Sequence, residues 1–306
     1  MNARRIVSLL PSATEIVCIL GASDDLVGIS HECDFPAQIR DRPVLTSSTI
    51  DPHGSSREID AAVRQVLTQA LSVYSVDYQK LGELAPDLIL TQDLCEVCAV
   101  SLDDVRAAVA RLAHRESIQI VSLRPTRLAH VLADIQQVAE ALDRQSAGQR
   151  VVGQFQERID AIRARASQTD RKPRVATLEW LDPIMLGGTW MPELIDLAGG
   201  IAVGAQPGEP APTLSPSELS ALDPDVVLIK PCGFDLQRSL QEKELIERHI
   251  RPALRSGARL YLTDGNAFFN RPGPRLVESL EIMAACLFPL GFADFAERHR
   301  EAILRL

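Results

Sequence analysis

Between Thr126 and Ser167 the chain contains no proline, and its apolar residues recur at helical spacing. Leu128, Val131, Leu132, Ile135, Val138, Ala139 and Leu142 follow one another at three- and four-residue steps. Val152, Phe155, Ile159 and Ile162 resume the pattern after a polar interval, as expected of one face of a helix. At ~1.5 Å per residue a single helix of this length is roughly 60 Å long, more than the diameter of a compact domain built from half the chain. It is therefore expected to bridge two lobes. The interval from Asp143 to Arg150, which includes Gly148, also reads as a turn between two antiparallel helices, because glycine is a weak helix former.

On either side of this stretch, strand and helix patterns alternate. The N-terminal part predicts strands at 5–10, 26–30, 44–46, 87–92 and 118–123. Helices are predicted at 13–20, 59–71, 78–84 and 102–112, with Ser12 as N-cap of the first and Glu15 at the capping-box spacing. The C-terminal part predicts strands at 174–179, 202–204, 225–229 and 259–262, and helices at 191–198, 217–222, 236–250, 276–288 and 294–306. Such alternation implies an α/β fold: two lobes with mainly parallel sheets joined by one long helix, and a ligand cleft between the lobes. The expected domains are an N-terminal lobe at 1–125, the bridging helix at 126–170 and a C-terminal lobe at 171–306.

Charge and hydropathy narrow the function. A net charge of -9 with no dense Lys/Arg run excludes a sequence-independent nucleic-acid binder. No run of about eighteen apolar residues occurs, so no membrane span is expected. Arg4 and Arg5 lead into Ile6–Leu10, and Pro11 interrupts that run too soon for a signal-peptide core. On this ground the protein is expected to be cytoplasmic, and periplasmic only if a leader has been removed. In the cytoplasm its six cysteines would be thiols or metal ligands.

In parallel sheets ligands sit beyond the carboxyl ends of the strands, which selects the loops to inspect. They hold Pro11, Ser12, Ala13 and Thr14 in the first lobe, and Glu179, Trp180, Trp190, Phe234, Asp264, Asn266, Phe268 and Arg271 in the second. Both tryptophans fall there in a chain only 4% aromatic, and flat aromatic walls suit a large planar ligand. The segment around Asp264–Arg271 carries amide, carboxylate and guanidinium groups between glycines and prolines, suited to the polar edge of a ligand. A second constellation is His31 and Cys33 with the Cys95–Cys98 pair. Thiolate and imidazole together suit zinc or a cobalt-like ion. Unliganded buried thiols and a redox CxxC are the other readings of the same residues.

The segment Ile6-Val7-Ser8-Leu9-Leu10-Pro11-Ser12-Ala13-Thr14-Glu15-Ile16, the strand starts at Pro86-Asp87 and Pro224-Asp225, and the helical bridge resemble the substrate-binding proteins of cobalamin and ferric-siderophore ABC importers. The cobalamin-binding branch is the nearer likeness. This resemblance implies a non-enzymatic protein that grips cobalamin or a related corrinoid or tetrapyrrole between two α/β lobes, with that small molecule as its main partner. Members of the family offer one glutamate per lobe to the permease; here those positions hold Gln79 and Ser217, which speaks against docking to an ABC permease. An intracellular carrier or sensor is the role then expected. The alternatives are a metal-handling protein built on His31, Cys33, Cys95 and Cys98, and an importer-bound receptor for a metal chelate. No Gly-rich phosphate loop, G-x-S-x-G elbow or H-E-x-x-H motif points to catalysis.

Overall fold

The computed structural model describes residues 4–68, 73–92, 118–169 and 171–306. They form two compact units. The first is drawn from Met1–Gly54, Ala61–Pro125 and Ala129–Gly153; the second from Gln154–Leu306 together with Ser55–Asp60 and Thr126–Leu128.

The first unit is built on a four-stranded sheet of β1 (Ile6–Ser8), β2 (Leu26–Ile29), β5 (Leu88–Gln92) and β6 (Gln119–Leu123), in the order β2-β1-β5-β6. All three pairings are parallel. Each strand is a short apolar run, and Ile6, Val7, Leu88, Ile89 and Leu90 are fully buried, as befits strands covered on both faces. Two further strands, β3 (Thr46–Ser48) and β4 (Tyr74–Val76), pair antiparallel. Three helices precede β5: α1 (Pro11–Ile19), α2 (Ser56–Thr68) and α3 (Tyr78–Leu84). Ser12 is not the N-cap of α1. That place belongs to Leu10, in extended conformation and without a side-chain cap, because Pro11 lacks an N–H and its fixed φ suits the first helical position. Ser12 is instead buried. The helix expected at 102–112 lies outside the described residues.

The stretch expected as one bridging helix is two: α4 (Leu128–Ala141) and α5 (Gln145–Ala166). Asp143 adopts a left-handed φ of 56°. Around it the Arg144 N–H reaches Ala139 O at 2.8 Å and the Asp143 N–H reaches Glu140 O at 3.1 Å. These are the paired bonds of a Schellman closure, which terminates α4. The next helix then turns back onto the last one at close range: a Cβ on Gly148 would lie 2.6 Å from Ala139 Cβ.

The second unit holds a larger sheet in the order β10-β8-β7-β11-β12-β13, with β9 added to β7. Its centre is parallel: β7 (Arg174–Trp180), β11 (Val226–Ile229) and β12 (Arg259–Thr263). Its margins are antiparallel, with β8 (Ile184–Leu186) and β10 (Thr213–Leu214) on one side and β13 (Ile303–Arg305) on the other. β9 (Ile201–Ala202) runs parallel to the start of β7. Ala176, Leu178, Val227, Ile229, Leu260 and Leu262 share one core cluster, which is the period-2 face of the three central strands.

Besides the latter part of α5, the longer helices of this unit are α6 (Met191–Leu197), α7 (Pro216–Ala221), α8 (Leu236–Gln241), α9 (Leu276–Leu287) and α10 (Ala293–Arg298). A capping box between Ser215 and Glu218 starts α7. The helix expected over 236–250 is interrupted at Glu242, and the helix expected over 294–306 stops at Arg298. Ile303 and Leu304 go instead to the edge of β12, opposite Thr263 and Leu262, where pairing to an open sheet edge outweighs a weak helical period.

Candidate functional site

At the carboxyl ends of β7, β11 and β12 the second unit gathers a set of polar side chains. The apolar run Val226–Ile229 ends in Lys230, whose side chain is 0% exposed. An ammonium so placed must find acceptors, and Lys230 Nζ donates to Asn270 Oδ1 at 2.7 Å and to Glu179 Oε2 at 3.4 Å. Burial lowers the Lys230 pKa, and the Glu179 carboxylate opposes that shift. Asn270 completes the junction, since its Nδ2 donates to Lys230 O and Gly265 O, both at 2.9 Å. Glu179, whose side chain is 27% exposed, also accepts the Gly188 N–H at 3.4 Å. Three strand ends are thereby tied by one buried amine.

The loop after β12 is ordered by its own side chains. Asp264 Oδ1 accepts the N–H groups of Asn266 and Ala267 at 3.0 and 2.7 Å. Burial raises the Asp264 pKa against the pull of these two bonds. Arg271 Nη2 donates to Asn266 Oδ1 at 2.8 Å. Phe269 is fully buried at a left-handed φ of 67°, a strained setting for a bulky residue. It is fixed from both sides: Ser279 Oγ accepts its N–H and the Trp190 indole N–H donates to its carbonyl, each at 2.8 Å. Trp190 is itself buried and so acts as a support of this loop. Phe268 is half-buried, edge-on to His299 and beneath the Arg275 guanidinium.

Trp180 ends β7 half-buried. Its ring centroid lies 5.3 Å from that of Phe234, and its N–H donates to Ser56 O at 3.1 Å. Phe234 is buried between this indole and the Arg238 guanidinium, which sits 3.9 Å from the ring centroid. Of the four aromatic residues singled out in the sequence, Trp180 and Phe268 retain partial exposure, while Trp190 and Phe234 pack beneath the surface.

In the first unit the corresponding strand ends carry a buried hydroxyl network. Thr14 Oγ1 donates to Ser8 Oγ at 2.8 Å and lies 3.1 Å from Cys33 Sγ. Ser12 and Ala13 are buried with it, and Pro11 is half-buried. Thr46 Oγ1 donates to Ser30 Oγ at 3.0 Å and meets His31 Nδ1 at 2.6 Å. The His31 ring is 5.2 Å from Tyr74, whose hydroxyl donates to Glu32 at 2.9 Å. Burial lowers the His31 pKa, with Glu32 opposing, so the imidazole is neutral at neutral pH.

His31 and Cys33 thus follow the same strand, yet each is engaged by a hydroxyl. Cys95 and Cys98 lie outside the described residues, and among the described residues no three His, Cys, Asp or Glu side chains are gathered for a metal ion. Among the described residues Cys18, Cys33, Cys232 and Cys286 form no disulfide; burial pushes the Cys18 thiol up to about 11. Sequence reasoning missed Lys230, although a lysine closing an apolar strand was a readable signal. Glu83 and Glu218, the glutamates close to Gln79 and Ser217 in the sequence, are held locally, Glu83 by Gln79 at 3.0 Å and Glu218 by the Ser215 N–H at 2.7 Å. No described helix is long and apolar enough to cross a membrane.

The arrangement offers hydrogen-bonding groups and a partly exposed indole at the same strand ends, and comparison with known proteins gives that rim a context. A vitamin B12-binding protein of Photorhabdus laumondii is 22% identical over 90% of this chain and 85% of its own length. A solved periplasmic vitamin B12-binding protein of Vibrio cholerae superposes with a TM-score of 0.64 at 20% identity, covering 93% of this chain and 96% of that one. A periplasmic heme-binding protein of Pseudomonas aeruginosa superposes with a TM-score of 0.68 at 17% identity, covering 94% and 93%. A family model described as "Periplasmic binding protein" matches residues 6–265. That match corrects the cytoplasmic expectation. The expectation rested on the first residues alone, and Ile6–Ser8 is a buried strand of the sheet, a piece of the fold that carries no address. The model covers well over half of the sequence: the chain belongs to the periplasmic binding protein family, and it is a binding protein, not an enzyme.

Proposed function

We propose that the chain captures a tetrapyrrole, with a corrinoid of the vitamin B12 type as first choice and haem as second. The observation that carries this reading is the partly exposed Trp180 ring. It is backed by Phe234 and Arg238 and stands at the same strand ends as Glu179, Asn266, Asn270 and Arg271. A stacked ring edged by amide-binding groups matches a macrocycle with a polar periphery. The names of the relatives, vitamin B12-binding and heme-binding, support the same class.

No resident zinc or cobalt is part of this proposal. With Glu83 and Glu218 held in local bonds, it covers ligand capture alone.

Titration of the protein with cyanocobalamin and with haemin, followed by visible absorbance and tryptophan fluorescence, tests the proposal. Saturable quenching by at least one probe is expected. Trp180→Ala should weaken binding roughly threefold to tenfold, the range of one aromatic stacking contact. Absence of binding by both probes defeats the reading.

A further inference from the structure

Resting on the tetrapyrrole reading, the second unit's rim carries one feature that discriminates between ligands of that class. Glu179 and Lys230 form an ion pair with unequal access to solvent: the carboxylate side chain is 27% exposed and the ammonium side chain 0%. A ligand approaching the strand ends therefore meets the Glu179 side chain before it meets the ammonium. The compensating charge lies behind them, held by Asn270 Oδ1 at 2.7 Å.

The other cations of this rim are already committed. Arg271 is bonded to Asn266 Oδ1, Arg238 to Glu242 and the face of Phe234, and Arg275 lies over Phe268. Asp264 spends Oδ1 on two backbone N–H groups. The surface thus presents acceptors, Glu179 foremost, backed by a buried positive charge that keeps the covered pair neutral.

We infer that the Glu179–Lys230 pair sets the specificity of this rim, selecting a macrocycle whose edge carries uncharged carboxamides over one whose edge carries free carboxylates. A ligand amide donates its N–H to the Glu179 carboxylate, a charge-assisted bond. A ligand carboxylate placed there brings two anions together, and repulsion against the wrong partner is how such sites discriminate. Corrinoids of the vitamin B12 type are edged by carboxamides, whereas haem carries two propionates. Lys230 is a positioning residue in this scheme, because it touches Glu179 and not the ligand.

The test keeps the ring system constant. Affinities of the full-length protein are measured for cyanocobalamin and for its monocarboxylate, in which one peripheral amide has been hydrolysed, with haemin as a third probe. The wild-type protein should prefer the amide form by about tenfold, the size of one partly screened charge–charge contact. Glu179→Gln, an isosteric change at a partly exposed position, should reduce that preference to about twofold and tighten haemin. Lys230→Met should weaken cyanocobalamin and, if it folds by thermal melting, retain the preference; if it does not fold, Glu179→Gln decides alone. Equal binding of amide and carboxylate by the wild type, an unchanged preference in Glu179→Gln, or binding of haemin without cyanocobalamin overturns the inference. Failure of the wild type to bind cyanocobalamin and haemin alike defeats the underlying functional reading instead.

Discussion

At the scale of single residues, the second unit shows how a strained backbone is held for use. Phe269 would relax from its left-handed conformation were its two backbone groups not both engaged, by Ser279 and by Trp190. Trp190→Phe keeps most of the ring volume and removes the indole donor to Phe269 O. The orphaned carbonyl should cost about 1–3 kcal/mol, measured by urea unfolding, and the ligand affinity should fall with the order of the Asp264–Arg271 loop. Unchanged stability would show that the indole N–H is dispensable there. Single residues were also where the sequence was least legible. Both tryptophans stood out equally by rarity and position, yet one is a support and the other partly exposed, a difference set by packing partners far away in the chain. Lys230 was passed over because a charge at the end of an apolar strand reads as a loop residue until burial is known.

At the scale of elements, apolar runs and helical periods marked most strands and helices, because burial on a sheet imposes those periods directly. The failures came where a competing local interaction decided. Pro11 moved the start of α1, Asp143 in place of the usual glycine closed α4, and a free sheet edge drew Ile303 and Leu304 out of a helix. The turn at Asp143 leads to a paired prediction within α5. Glycine to alanine normally stabilises a helix interior by roughly 0.5–1 kcal/mol. At Gly153, where nothing beyond the helix's own backbone lies within 4 Å of the added Cβ, Gly153→Ala should show that gain. At Gly148 the added methyl meets Ala139 Cβ at 2.6 Å and Gln136 Oε1 at 3.0 Å, so Gly148→Ala should lose about 1–3 kcal/mol through overpacking. Thermal melting of the two variants checks both signs. A gain at Gly148 would mean that the α4–α5 turn opens without cost.

At the scale of the whole molecule, each unit holds a buried carboxyl group with a displaced pKa, Asp134 in the first and Glu281 in the second, and the two respond to pH in opposite directions. In the second unit burial alone would raise the Glu281 pKa. Hydrogen bonds from His299 and Arg158, the charge of Arg158 and a bond from Arg298 outweigh it and bring the value from 4.5 down to about 2. Its contribution is therefore complete above about pH 4.5 and is lost as pH falls toward 2, roughly 3 kcal/mol in all. In the first unit Asp134 is buried on α4 with Oδ2 unpartnered among the described residues. Burial raises its pKa from 3.8 to about 7. The folded state then binds the extra proton, so stability falls as pH rises from about 4 to 7 and stays lower above that. Asp134→Asn should accordingly raise stability at pH 8, by about 2–4 kcal/mol, and leave it nearly unchanged at pH 3. Glu281→Gln should lower stability at pH 7 and flatten the loss between pH 5 and 3. Urea unfolding of the wild type and both variants across pH 3 to 8 measures these differences. If the wild type and Glu281→Gln lose stability in parallel below pH 5, the network of Arg158, Arg298 and His299 does not hold the Glu281 charge. If Asp134→Asn gives the same gain at pH 3 as at pH 8, the gain comes from packing and not from a proton on Asp134.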